Sequence, residues 1–278
     1  PADMMYIVVG TLTLPNGASL TIDPGTVVKF LNGYGMTING QLVANGTAIT
    51  APVVFTSIKD DAYGGDANND GSNSIPARSD WATLTFNSTS VNSRLTNSHV
   101  RYGGGPAVKI DQTSVILTGD TFHENAGGLD VRTASQAANS LTSNTFVDNR
   151  SYAVWTNLAN IYALAPDNIF VNNVGNDVQV DSGTTTADLT LYADFVYSLS
   201  SLTVAQPYTL TLQANTVVKL SSSLNIYGSL AAEGTASSKV YITSIKDDSV
   251  GGDTNGDGSG TTPAPGDWSY IILREGAD

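Results

Sequence analysis

Apolar residues along this chain alternate with polar ones in short runs and do not recur every three or four positions. The segments SLTI (Ser19 to Ile22) and PVVFTSI (Pro52 to Ile58) are rich in β-branched and aromatic residues. Such runs predict strands, whereas a helix would place apolar residues at i, i+3, i+4 and i+7 and favour Ala, Leu, Glu and Lys. Asn-Gly turns at Asn16, Asn32, Asn39 and Asn45 punctuate the runs.

The pattern repeats on two scales. DTFHEN (Asp120 to Asn125), NTFVDN (Asn144 to Asn149) and NIFVNN (Asn168 to Asn173) place Phe122, Phe146 and Phe170 at intervals of 24 residues, with Asn125, Asn149 and Asn173 in the same rhythm. SHVRYG is a weaker copy, with Val100 in the Phe position 22 residues earlier. About 24 residues accommodate three short strands and three turns, one rung of a parallel β-helix. The spacing therefore predicts the three Phe stacked inside the coil and the three Asn laddered at one corner. A β-sandwich is disfavoured because its hairpins do not repeat one turn chemistry at fixed intervals.

The longer repeat matches LTIDPGTVVKFL (Leu20 to Leu31) with LTLQANTVVKLS (Leu210 to Ser221), and TSIKDDAYGGDANNDGS (Thr56 to Ser72) with TSIKDDSVGGDTNGDGS (Thr243 to Ser259). An Asp-Trp pair follows each acidic segment, Asp80-Trp81 and Asp267-Trp268. The reading is one continuous right-handed parallel β-helix over residues 1–278. A first sequence module spans 1–190 with an acidic insertion at 59–80, and a partial second module spans 191–278 with an insertion at 246–267. With about 40 residues assigned to the insertions, the remainder makes roughly ten rungs.

GTLTLPNGASLTIDPGTVVKF, GQLVANGTAITAPVVFTS and the KDDxxGGDxNxDGS insertion resemble the right-handed parallel β-helix repeats of bacterial secreted and cell-surface proteins, within the pectate-lyase-like superfold. That superfold includes polysaccharide lyases and hydrolases, adhesins, phage tailspikes and structural surface proteins, so the resemblance implies architecture and leaves activity open.

The insertions carry the concentrated chemistry. Asp66, Asn68 and Asp70 stand at i, i+2 and i+4 before Gly71, and Asp253, Asn255 and Asp257 repeat the pattern before Gly258. Calcium takes six to eight oxygens, and alternate side chains of a tightly curved loop converge on one ion. Asp60, Asp61 and Asp80, with Asp247, Asp248 and Asp267 in the second copy, are the further carboxylates available to complete coordination. The twelfth loop positions are Ala77 and Ala264, so the bidentate Glu of an EF-hand is missing. Without a metal the same residues are simply turn formers. The cofactor expected is Ca2+, in a structural role.

No catalytic residue is assigned. Basic groups that a lyase would need are sparse, the candidates being Lys29, Arg78, Arg101, Lys109, Arg132 and Arg150. The two histidines, His99 and His123, occupy different rung positions and read as surface residues. Asp120, Glu124 and Asp148 are a carboxylate set that separate rungs would have to bring together for glycoside hydrolysis. Tyr102, Tyr152, Trp155 and Tyr162 are the candidates for a sugar-stacking strip.

Composition narrows the classes further. The chain has 278 residues, 12 Lys+Arg against 25 Asp+Glu, a net charge of -13 and no cysteine. This balance argues against nucleic-acid binding, which depends on Lys and Arg displacing counterions. No run of 18 apolar residues is present, so membrane insertion is not expected. The best reading is a rigid stalk, adhesin or filament unit that is extracellular or on the cell surface, with surface glycans or its own copies, head to tail, as partners. A carbohydrate-active enzyme or carbohydrate-binding module on the same scaffold is the alternative. The open rungs at the two ends of a β-helix lead to the expectation that the chain is cut from, or assembles into, a longer array.

Overall fold

The computed structural model describes residues 4–48, 50–134 and 140–277. Apart from the 3-10 turn Ile161–Ala163, the regular elements among them are β-strands, paired in parallel ladders. Ten successive coils follow one another in the chain, and they gather into two compact units, Pro1–Ala153 with Ala163–Asn173, and Val154–Tyr162 with Val174–Asp278.

In the first unit one sheet is built from Met5–Val8, Val27–Phe30, Val53–Ser57, Ser98–Arg101, Thr121–His123, Thr145–Val147 and Ile169–Val171, in that spatial order. Its register aligns Val28, Phe55, Val100, Phe122, Phe146 and Phe170 as one column. Phe122 and Phe146 stack at 4.6 Å between ring centroids, and Phe146 and Phe170 at 5.4 Å. The repeat of 24 residues is thus the advance of one coil, and SHVRYG is the same coil with a smaller core residue. A second sheet runs through Leu12–Leu14, Met36–Ile38, Leu84–Phe86, Val108–Asp111 and Leu129–Thr133. A third runs through Ser19–Ile22, Gln41–Asn45, Ser93–Thr96, Val115–Thr118 and Ser140–Thr142.

Buried side chains hold the corners. Asn149 Oδ1 accepts from the backbone N–H of Asn125 at 3.0 Å while its Nδ2 donates to Phe122 O at 3.0 Å. Asn173 serves Asn149 in the same way. A second ladder runs along the opposite end of the same strands, where Ser98 N donates to Asp120 Oδ1, Asp120 N to Asn144 Oδ1 and Asn144 N to Asn168 Oδ1, at 2.7 to 3.0 Å. The first and last residues of each hexapeptide are therefore the two ladder rungs. Immediately before most of these rungs the backbone turns left-handed, with φ of 54° at Glu124, 55° at Asp148, 69° at Gly119 and 56° at Ser143. That turn aims the next side chain inward, where buried backbone groups require partners.

Asp120 occupies a ladder place that its neighbours fill with Asn. Asn144 and Asn168 donate Nδ2 to the carbonyls of Leu117 and Leu141, and the register puts Leu95 in the corresponding place. Asp120 is fully buried and its Oδ2 is without a hydrogen-bond partner. Burial pushes its carboxyl up to about 8, against the lowering effect of hydrogen bonds from Ser98 and Thr118. The raised folded-state pKa means stability is fully present below about pH 4, the unfolded value, and is lost as pH rises through about 8. We expect Asp120→Asn to stabilise the chain by about 2 kcal/mol at pH 8, with the gain shrinking toward pH 4. Urea unfolding of both proteins across that range checks it, and a pH-independent difference would contradict it.

In the second unit Gly175–Val180, Val196–Val204 and Val217–Ile226 form one ladder, the last strand pairing with both Tyr241–Ser244 and Tyr270–Leu273. Leu189–Leu191, Thr209–Leu212 and Ser229–Ala232 form another. Tyr197, Leu210, Leu220, Leu224 and Ile226 are buried in its core.

Candidate functional site

Each acidic insertion follows a strand whose neighbour, one coil earlier, carries a buried lysine in an apolar run, Lys29 in register with Thr56 and Lys219 with Thr243. Lys29 lies in VVKF and is fully buried. Its Nζ donates to Asp60 O at 2.9 Å and also to Gly65 O. Lys219 is likewise buried and donates to Gly252 O. Burial pushes both ammonium groups down from their ordinary value, opposed by Asp60, Asp61 and Asp66 around Lys29 and by Asp248, Asp247, Asp177 and Asp253 around Lys219. Each insertion therefore folds back over its own lysine, which supplies a cation and N–H donors to loop carbonyls.

The neck of each insertion is closed by one ion pair. Asp80 Oδ1 meets Lys59 Nζ at 2.8 Å while its Oδ2 accepts from Ser57 Oγ at 2.8 Å and Ala77 N at 2.9 Å. Asp267 repeats this with Lys246 at 2.6 Å, Ser244 Oγ at 2.8 Å and Ala264 N at 2.8 Å. The Lys246 hydrogen bond, followed by those of Ala264 and Ser244, pulls the Asp267 carboxyl down to about 2. Asp60 and Asp247 cap the start of the loops, accepting from Thr56 Oγ1 and Thr243 Oγ1 at 2.6 Å. Four of the twelve sequence-selected residues are thus engaged at the base of the loops.

The remaining eight lie in the loop turns. Asp66 accepts from the N–H groups of Asp70 and Gly71, and Asp253 from those of Gly256 and Gly258. Gly71 and Gly258 both turn at φ 70°, a conformation that a residue with a Cβ rarely adopts. Asn68 Nδ2 donates to Asp70 Oδ2 and Ser74 Oγ, and Asn255 Nδ2 to Asp257 Oδ2 and Thr261 Oγ1. Thr261, ahead of backbone N–H donors, holds the Asp257 carboxyl below its ordinary value. Among the described residues, Asp248, Asp253 and Asp257 form the carboxylate trio whose oxygens come within 4.8 Å of one another. Asp61, Asp66 and Asp70 are their sequence counterparts. Asn68 Oδ1, Asp70 Oδ1 and Asp248 Oδ1 are buried yet lack a hydrogen-bond partner. A set of hard oxygens with unused lone pairs has the donor chemistry that calcium requires.

The first insertion has additional fastenings. Tyr63 Oη lies 3.1 Å from His99 Nδ1, Arg101 sits 4.8 Å over the Tyr63 ring and 3.4 Å from Asp60, and Arg78 donates to Asp148 O at 2.7 Å. His123 Nε2 lies 3.7 Å from Glu124 and 3.6 Å from Asp148. Both histidines thus share the outer face of one sheet, and burial with Arg101 and His123 nearby pushes His99 down. Their different rung positions hid this, because the insertion brings Tyr63 to one and the corner carboxylates flank the other. Asp120 does not join Glu124 and Asp148, being buried in its ladder. The aromatic candidates do not line up as an exposed strip, since Tyr102 and Tyr152 are buried and Trp155 donates to Asp181 at 2.9 Å.

No family model, curated protein or solved structure matches the chain.

Proposed function

We propose that this chain is a structural or adhesive segment of an extracellular or cell-surface repetitive protein of the pectate-lyase-like, bacterial kind, with calcium stiffening its insertions. The observation that carries the reading is duplication. The most concentrated chemistry occurs twice, each time as a loop folded over a buried lysine and closed by a Lys–Asp pair, as befits a repeated structural part. In the second insertion Asp248, Asp253 and Asp257 would hold the ion. Without a closing bidentate Glu, an affinity in the 10⁻⁴–10⁻³ M range of extracellular modules is expected, which suits an environment of millimolar calcium.

Thermal unfolding tests this. If Kd is about 0.1 mM, 10 mM calcium stabilises the folded state by about 2.7 kcal/mol, or about 5 °C or more in Tm for a chain of this size. Asp253→Asn with Asp257→Asn should reduce the shift, and adding Asp66→Asn and Asp70→Asn should abolish it. Equal melting in EDTA and in calcium would overturn the reading.

A second reading, a carbohydrate-active enzyme, draws its support from the His99, His123, Tyr63, Arg101, Glu124 and Asp148 group. Release of reducing ends from a polysaccharide panel, lost in His123→Ala, would favour it.

A further inference from the structure

Beneath the second insertion the outer face of a sheet holds a buried carboxylate whose two oxygens have no hydrogen-bond partner. This is Asp177, in Gly175–Val180, where Val178 and Val180 face the core in register with Tyr197 and Leu199. Strand alternation turns Asp177 to the opposite, outer face, yet it is fully buried. The second insertion is the cover there. A Cβ on Gly251 would come within 2.9 Å of Val196 and 3.3 Å of Val217, and one on Gly256 within 3.5 Å of Val174. The turn through residues 251–256 therefore runs down the outer face from the strand of Val217 to the segment entering Gly175–Val180. All of these residues belong to the second unit.

Two neighbours act on this carboxyl from the same face. Gln179, Ser198 and Lys219 stand in register on successive strands. Burial pushes the Asp177 carboxyl up to about 7, and the Ser198 hydroxyl and the Lys219 ammonium oppose that push. Neither bonds to it, and Ser198 Oγ is itself buried without a partner, as is Asp248 Oδ1 in the insertion. Lys219 instead donates to Gly252 O, and its charge is shared with Asp248, Asp247 and Asp253. The sheet and the insertion thus contribute four buried oxygens with unused lone pairs. A buried charge needs a partner of opposite sign. Water would fill the lone pairs and leave the charge, whereas a calcium ion answers both.

We propose, resting on the reading that the insertions bind calcium, that Asp177, with Ser198 beside it, is the ligand the coil wall supplies to the ion of the second insertion. Asp177 stands outside the trio Asp248, Asp253 and Asp257, whose oxygens already come within 4.8 Å of one another. Calcium therefore closes the insertion onto the wall, joining the trio to Asp177. The insertion becomes a strap across the successive strands of Asp177, Val196 and Val217, which is how a loop ion stiffens the coils beneath it.

Calorimetric titration of calcium chloride into the Asp66→Asn, Asp70→Asn chain isolates the second insertion. Adding Asp177→Asn is expected to weaken calcium binding by about tenfold or more. Asp194→Asn, which removes an exposed carboxylate of the same unit, is expected to leave it unchanged. Ser198→Ala is expected to weaken binding in the same direction and serves should Asp177→Asn misfold. Calcium should also slow proteolytic cleavage within residues 248–258, and Asp177→Asn should remove that protection. An affinity that Asp177→Asn and Ser198→Ala leave unchanged overturns this inference alone and makes Asp177 a buried neutral acid. Equal weakening by Asp194→Asn overturns it as well, because charge at a distance would then account for the effect. No calcium binding by the Asp66→Asn, Asp70→Asn chain removes the calcium reading of the second insertion itself, and Asp177 as a ligand with it.

Discussion

Asn149→Ala is expected to cost the chain about 4 kcal/mol, seen as a fall in the urea midpoint. The loss is not one of volume. Asn149 is fully buried, and its amide group serves Asn125 N, Asn125 Nδ2, Phe122 O and Asn173 Oδ1. Alanine leaves at least the Asn125 N–H and the Phe122 carbonyl buried with their side-chain partner gone, at about 1–3 kcal/mol each. Water cannot replace the lost partners cheaply in a close-packed column where Phe122 and Phe146 stack at 4.6 Å. A loss under about 1 kcal/mol would mean the ladder follows from the coil and does not help to hold it.

Lys29→Met is expected to free the first insertion from its coil. The substitution keeps most of the apolar stem and removes the ammonium that meets Asp60 O and Gly65 O. Asp60, Asp61 and Asp66 then face one another without that cation, and breaking such a buried arrangement from one side costs about 3–5 kcal/mol. Because Lys59–Asp80 still closes the neck, the cost should appear first as local opening. Limited proteolysis should cut within the 61–77 stretch far faster in Lys29→Met than in the unsubstituted chain. Unchanged cleavage with unchanged urea stability would show that the lysine is a passenger.

The fold was legible because its governing signal is periodic. Phe122, Phe146 and Phe170 fixed the advance per coil, and Asn125, Asn149 and Asn173 marked a corner, since only a parallel solenoid brings residues 24 apart into register. The second ladder stood in the same hexapeptides, at Asp120, Asn144 and Asn168. Its signal is weaker because Asp in the first copy breaks the apparent identity, as Ser98 does one coil earlier. The candidate site was legible in composition but not in its division of labour. Aspartates that look alike in sequence separate by partner: Asp80 and Asp267 go to the neck lysines, whereas Asp248, Asp253 and Asp257 converge in the loop. The signal that could have shown this was the lysine in TVVKF and TVVKL, a charge inside an apolar strand at the same place in both modules. Such a residue needs a buried partner, and the densest acidic material in each module is the insertion that follows. The patch around His99 and His123 had no such signal, because Tyr63 reaches His99 across 36 residues.

Isothermal calorimetric titration of calcium into the chelator-stripped chain tests the central claim most directly. The account predicts saturable binding with Kd of about 0.1–1 mM, reduced in the Asp253→Asn, Asp257→Asn variant and lost when Asp66→Asn and Asp70→Asn are added, while the β-sheet circular dichroism is unchanged. No binding heat up to about 10 mM calcium, a concentration that would fill such a site nearly completely, together with an unshifted Tm, would contradict it and leave the insertions as lysine-pinned turns.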